Sequence, residues 1–225
     1  MSAGGGSESK KYTVHESFAI KSSKYIQSAL GNNDWKEGQE KHIGLIDHEP
    51  ESLEGYINWL YTREVTLTNA EEKCKYHGPS QSQIYQASDC SRNHCLKLIK
   101  MYVLGDYLND MRFCNAVIDT IGLMRGGCVP SLDAIQWAWG HTMEDCPIRE
   151  CVLEKWATVL GPKAPKTIKF MKKHSLKIPK DSLFDLIPLM EAKNCSGTAK
   201  DASAQAPVAN RCRFHKHVDD SDKCT

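Results

Sequence analysis

Apolar residues along this chain recur mostly at helical spacing and alternate only in brief stretches. Tyr12 and Val14 alternate with Thr13 and His15, which predicts a short strand. Phe18, Ile20, Tyr25, Ile26 and Leu30 then cover roughly one helical face, and Gly31-Asn32-Asn33 stops that helix. After a loop around Trp35 and Gly38, Ile43 and Leu45 alternate in a second strand. Pro50 suits a helix's first turn, and Leu53, Tyr56, Ile57 and Leu60 follow at i, i+3, i+4, i+7. "REVTL" reads as a short extended piece. Leu96, Ile99, Val103 and Tyr107 mark a further helix. Asp110 suits the cap of the next one, which carries Phe113, Val117, Ile121 and Met124 and ends at Gly126-Gly127. More helices are predicted from Ser131 (with Ile135 and Trp139) and from Pro147 (with Ile148, Val152, Trp156 and Val159), and two shorter ones near 165–174 and 181–192.

The segments between these elements set the organisation. Residues 1–10, MSAGGGSESK, are polar and glycine-rich, and a disordered N-terminus is expected. Residues 69–95 show no period and carry Gly78-Pro79, which reads as a polar insertion. From residue 193 onward Ser, Ala, Lys and Asp dominate, as in a disordered tail that contains Cys and His. No internal repeat is present.

Bulk composition narrows the function classes. The chain is 40% hydrophobic and 25% charged, ordinary for a soluble globular protein. Its 29 basic residues against 28 acidic ones leave a net charge of +1, so nucleic acid is not an expected partner. No signal-peptide core and no membrane-spanning apolar run is seen, which predicts an intracellular protein of cytoplasm or nucleus with no membrane partner. Ten cysteines in that setting read as reduced thiols.

Candidate chemistry sits mainly in the tail. "CRFHKHVDDSDKC" places Cys212, His215, His217 and Cys224 within one short segment, and thiolate and neutral imidazole are the usual zinc ligands. The spacing is not that of a standard finger, and a polar tail with incidental His and Cys accounts for it as well. Zinc at this tail is the one cofactor the residues suggest. Cys74, His77, Cys90, His94 and Cys95 form a second set, but the surrounding serines and glutamines offer nothing to fold around a metal. Lys163, Lys166, Lys169 and Lys172 recur at i, i+3 and read as a solvated helix face. The five tryptophans are expected in core or inter-helix seams, and an exposed one would mark a partner surface. No nucleophile elbow, phosphate loop or zinc-protease motif occurs, so no catalytic residue is nominated and the chain is read as non-enzymatic.

Three blocks together resemble the BTB/POZ family. "YTVHESFAIKSSKYIQSAL" resembles that family's first strand-to-helix corner. "WKEGQEKHIGLIDHEPESLEGYINWLYTREVTL" resembles the next block, and "LIKMYVLGDYLNDMRFCNAVIDTIG" the closing helix pair. The "Trp-Leu-Tyr-Thr" and "Val-Leu-Gly-Asp-Tyr-Leu" forms are similar to the BTB proteins of filamentous fungi. The resemblance implies an α+β fold, a small sheet flanked by helical hairpins over residues 11–124, followed by an α-helical extension over 125–192. It implies a protein-protein interaction module that self-associates, and an adaptor that brings substrates to a cullin-based ubiquitin ligase. Phe18, Ile20, Tyr25 and Ile26 would then serve self-association, and Tyr102, Asp106 and Met111 a partner such as the cullin scaffold. His15 would be structural. The family's leading strand is absent before "YTVH", so exchange of that strand between subunits is not expected. The alternative is a transcription- or chromatin-associated regulator with a zinc-binding tail.

Overall fold

A computed structural model describes residues 1–67, 89–124, 130–160, 169, 172–174, 178–195 and 212–217. It is mixed α and β, mostly helical, with one three-stranded sheet. The backbone divides into two compact units. The first comprises residues 1–71 and 100–117, and the second residues 72–99 and 118–225.

The first unit is built around strands of two residues each. β1 (Ser2–Ala3) is the middle strand, antiparallel to β2 (Lys10–Lys11) and parallel to β3 (Gly44–Leu45). The stretch expected to be disordered therefore supplies the centre of the sheet. Ala3 is 1% exposed, and a residue that small gives no periodic signal. Tyr12 and Val14 lie just outside the ladder, although the Tyr12 N–H still reaches the Met1 carbonyl at 2.8 Å. Leu45 occupies its predicted strand, and the Ile43 carbonyl accepts from the Ser2 N–H at 2.9 Å.

The single helix predicted before Gly31 is two helices, α1 (Glu16–Ser22) and α2 (Lys24–Gly31). Ser23 breaks them with extended backbone, and its hydroxyl oxygen caps α2 by accepting from the Ile26 N–H at 3.0 Å. The same hydroxyl donates to the Leu108 carbonyl at 2.5 Å, so the break is buried and satisfied. The loop around Trp35 contains a short helix, α3 (Lys36–Glu40), which closes on Lys41 in the left-handed region. Gly38 lies against the chain here; a Cβ on it would sit 2.0 Å from the Asn32 carbonyl oxygen.

Helix α4 (Pro50–Thr62) buries Leu53, Tyr56, Trp59 and Leu60, the face its spacing predicts. Helix α5 (Asp89–Tyr107) begins seven residues before Leu96, inside the expected insertion, whose residues 69–88 lie outside the described residues. Helix α6 (Met111–Leu123) starts at the predicted cap, with the Phe113 N–H donating to Asp110 Oδ1 at 3.1 Å. The Phe113 ring packs edge-on to Tyr56 at 5.0 Å and near Trp59 at 5.2 Å.

The second unit is helical. Helix α7 (Leu132–His141) opens on Ser131, whose hydroxyl accepts from the Ala134 N–H at 3.1 Å. Helix α8 (Pro147–Leu160) buries Ile148, Val152, Leu153 and Trp156, and the Trp156 indole donates to the Pro130 carbonyl at 2.7 Å. Helix α9 (Lys180–Cys195) packs on α8. The helix expected near 165–174 falls largely outside the described residues. Among the described residues, no helix is long and apolar enough to cross a membrane.

One carboxylate joins several elements of the first unit. Asp110 is 1% exposed; its Oδ2 accepts from Ser22 Oγ at 2.6 Å and from Tyr56 Oη at 3.0 Å. Burial pushes its pKa above the ordinary value, and the three donors only partly oppose that. Asp110→Ala should cost about 2–4 kcal/mol, because it removes a cap and strands two hydroxyls. Asp110→Asn should cost less, since an amide oxygen can still cap Phe113. A raised folded-state pKa means the native state holds this proton more tightly than the unfolded chain does. That contribution is full below the ordinary aspartate pKa of about 4 and fades as pH rises through the folded value. Urea unfolding across mildly acidic to neutral pH should show the Asn variant gaining on the wild type as pH rises.

Candidate functional site

The first unit exposes aromatic rings in two groups. His15 precedes α1, and its main-chain N–H donates to Tyr61 Oη at 3.0 Å, while its Nδ1 lies 2.8 Å from the same oxygen. The hydroxyl of α4's last turn thus holds the start of α1. The resemblance implies a structural His15; its ring here meets a tyrosine hydroxyl. The Phe18 ring lies 5.1 Å from that of Tyr61 and 6.1 Å from that of His15. Phe18 and Tyr61 are 42% and 44% exposed, so the three rings form an apolar face that this unit does not cover.

Tyr25, His48 and Tyr107 form the second group. The Tyr107 ring lies 5.1 Å from each of the other two, and the Tyr107 and Tyr25 hydroxyls are 3.3 Å apart. The hydrogen bond to Tyr107, then burial, push the Tyr25 phenol up to about 12. Burial lowers the His48 pKa. Both shifts favour the neutral form, which suits an aromatic contact surface.

Of the residues expected to meet partners, Phe18 lies in the first group and Tyr25 in the second. Asp106 is exposed, and Ile20 and Met111 are half-buried. Ile26 and Tyr102 are corrections: both are 0% exposed and belong to the core, so neither can touch a partner. Their helical spacing marks the inward face of α2 and α5. Sequence reasoning missed Tyr61, which sits beside the stripe of α4, and Ile46, which is 69% exposed. An aromatic one step off an apolar stripe was the available signal. Trp59 and Trp156 are core residues, whereas Trp35 is 50% exposed.

The tail candidates divide. Residues 212–217 lie against the second unit's helices: Arg213 pairs with Glu150 at 2.8 Å and Glu154 at 3.4 Å, and Phe214 is buried. Cys212 Sγ is 3.3 Å from His217 Nε2. Ligands bound to one zinc at about 2.3 and 2.0 Å would stand about 3.5 Å apart, so this pair fits two corners of a tetrahedron. His215 is turned away, with Nε2 3.1 Å from Asp119 Oδ1. Cys224 lies outside the described residues. Among the described residues, no group of three or more potential ligands converges. Of the second set, Cys95 is buried in α5, and Cys74 and His77 lie outside the described residues. Lys169 and Lys172 are exposed, as a solvated face requires.

No protein-family model, curated protein or solved structure matches this chain.

The cysteines differ in availability. Cys95, Cys114 and Cys151 are buried, and burial pushes the Cys151 thiol up to about 12, whereas Cys212 is partly exposed beside an imidazole. Brief iodoacetamide treatment of the folded protein, followed by peptide mass spectrometry, should label Cys212 well before those three.

Proposed function

We propose that this chain is a non-enzymatic protein-interaction module of BTB/POZ type. The reading combines the three sequence blocks with one structural observation: the aromatic face of His15, Phe18 and Tyr61, exposed on a unit whose small sheet is flanked by helices. Phe18 and Tyr61 offer rigid rings at little entropic cost, the kind of residue that carries binding energy in interfaces. Self-association through this face is the first role. Service as an adaptor to a cullin-based ubiquitin ligase, through the exposed Tyr107 and Asp106, is the narrower one. Light scattering of the full chain at micromolar concentration should give a dimer, and Phe18→Ser with Tyr61→Ser should give a folded monomer. A wild-type monomer would remove self-association from the reading. Enrichment of a cullin scaffold from extract, lost in Tyr107→Ala, tests the narrower role.

A second reading, a regulator with a zinc-binding tail, is favoured by the approach of Cys212 to His217. Metal analysis of the purified full chain should then find stoichiometric zinc that Cys212→Ser loses. Its absence would leave the pair as a thiol–imidazole contact.

A further inference from the structure

Residues 212–217 lie on the second unit as a ligand lies on its site. Asp119 on α6 and Glu150 and Glu154 on α8 stand near the Cys151 thiol, where their field adds to burial in pushing its pKa up, with Lys155 opposing them. The Lys155 ammonium also donates to the Gly122 and Met124 carbonyls at 2.7 and 2.8 Å, which ties the end of α6 to α8. The acidic patch is thus carried on two joined helices. Carboxylates alone name no ligand, but here a segment of the chain is seated on them.

Arg213 Nη2 forks between Glu150 Oε1 at 2.8 Å and Glu154 Oε2 at 3.4 Å. Its guanidinium also lies 4.4 Å from the centre of the Phe214 ring, so the two side chains dock as one cationic and aromatic unit. Phe214 is buried, and it is the segment's one large apolar side chain. The His215 side chain is 5% exposed, with Nε2 3.1 Å from Asp119 Oδ1. A turn closed by the His215 N–H on the Cys212 carbonyl at 3.1 Å keeps these consecutive side chains together. Each carboxylate of the patch therefore meets a side chain of the segment.

This hold is selective without being strong. The Arg213 and Glu150 side chains are 39% and 53% exposed, and open ion pairs are screened and individually weak. A ligand joined to its site by a short stretch of chain, here residues 196–211, meets it at an effective concentration on the order of 1 mM, so weak contacts suffice in cis. The same weakness makes the seat exchangeable. An anion would be repelled by the carboxylates, and a simple cation would leave the seat of the Phe214 ring empty. We infer that the patch is a docking site for an arginine–aromatic peptide of a partner protein, which residues 212–217 occupy in cis and thereby block.

Fluorescence anisotropy of a fluorescein-labelled peptide of residues 212–217, carrying Cys212→Ser and titrated with the full chain, tests this. The wild type should bind it weakly, because the seat is taken. The full chain carrying Arg213→Glu and Phe214→Ala should bind it roughly tenfold more tightly, and adding Glu150→Gln and Glu154→Gln should remove that gain. An opened chain that binds no more tightly than the wild type would overturn the proposal, as would a gain that survives the glutamine changes. Limited trypsin digestion reads the same contact with Phe214 left in place. Cleavage after Arg213 should be roughly fivefold faster in Glu150→Gln with Glu154→Gln than in the wild type, and equal rates would overturn the proposal. Protection of the wild type that falls on dilution through the micromolar range would assign the seat to a second copy and overturn the contact in cis.

Discussion

The first unit depends on a carboxylate placed where carboxylates are costly. Asp110 takes three donors from three elements: the Ser22 hydroxyl at the end of α1, the Tyr56 hydroxyl in the middle of α4 and the Phe113 N–H in the first turn of α6. Each donor is useful only if its element is correctly placed. The same corner holds Ser23, which caps α2 and donates to the Leu108 carbonyl just ahead of Asp110. Apolar packing supplies most of the stabilisation in such a unit, but it is not directional. This polar junction selects one arrangement among the many that would bury Tyr56, Trp59 and Phe113 equally well.

Legibility in the sequence followed the kind of force at work. Helices α4, α6, α7 and α8 were readable because each buries a stripe, and because Pro50, Asp110, Ser131 and Pro147 mark their starts. The break between α1 and α2 was not, because it depends on what Ser23 meets far along the chain at Leu108. The middle strand was invisible for another reason. Ser2 and Ala3 carry no bulk, and two residues cannot display a period.

The candidate surfaces show the same limit. The resemblance nominated Ile26 and Tyr102 for contacts, yet both are sealed inside, since a family pattern marks a helix without saying which of its residues face outward. Tyr61 was left over by its stripe, and Tyr107, a member of its own, is half exposed; both become meaningful only once neighbouring elements place the rings together.

The parallel pairing of Ser2 with Gly44 has a consequence for the order of assembly. Every residue of α1, α2 and α3 lies within the loop this pairing closes, so the ladder carries a large loop-closure cost against very few bonds. The helical segments have only local contacts to make before they meet. Loop closure thus favours forming the β1–β3 ladder after the helices it spans.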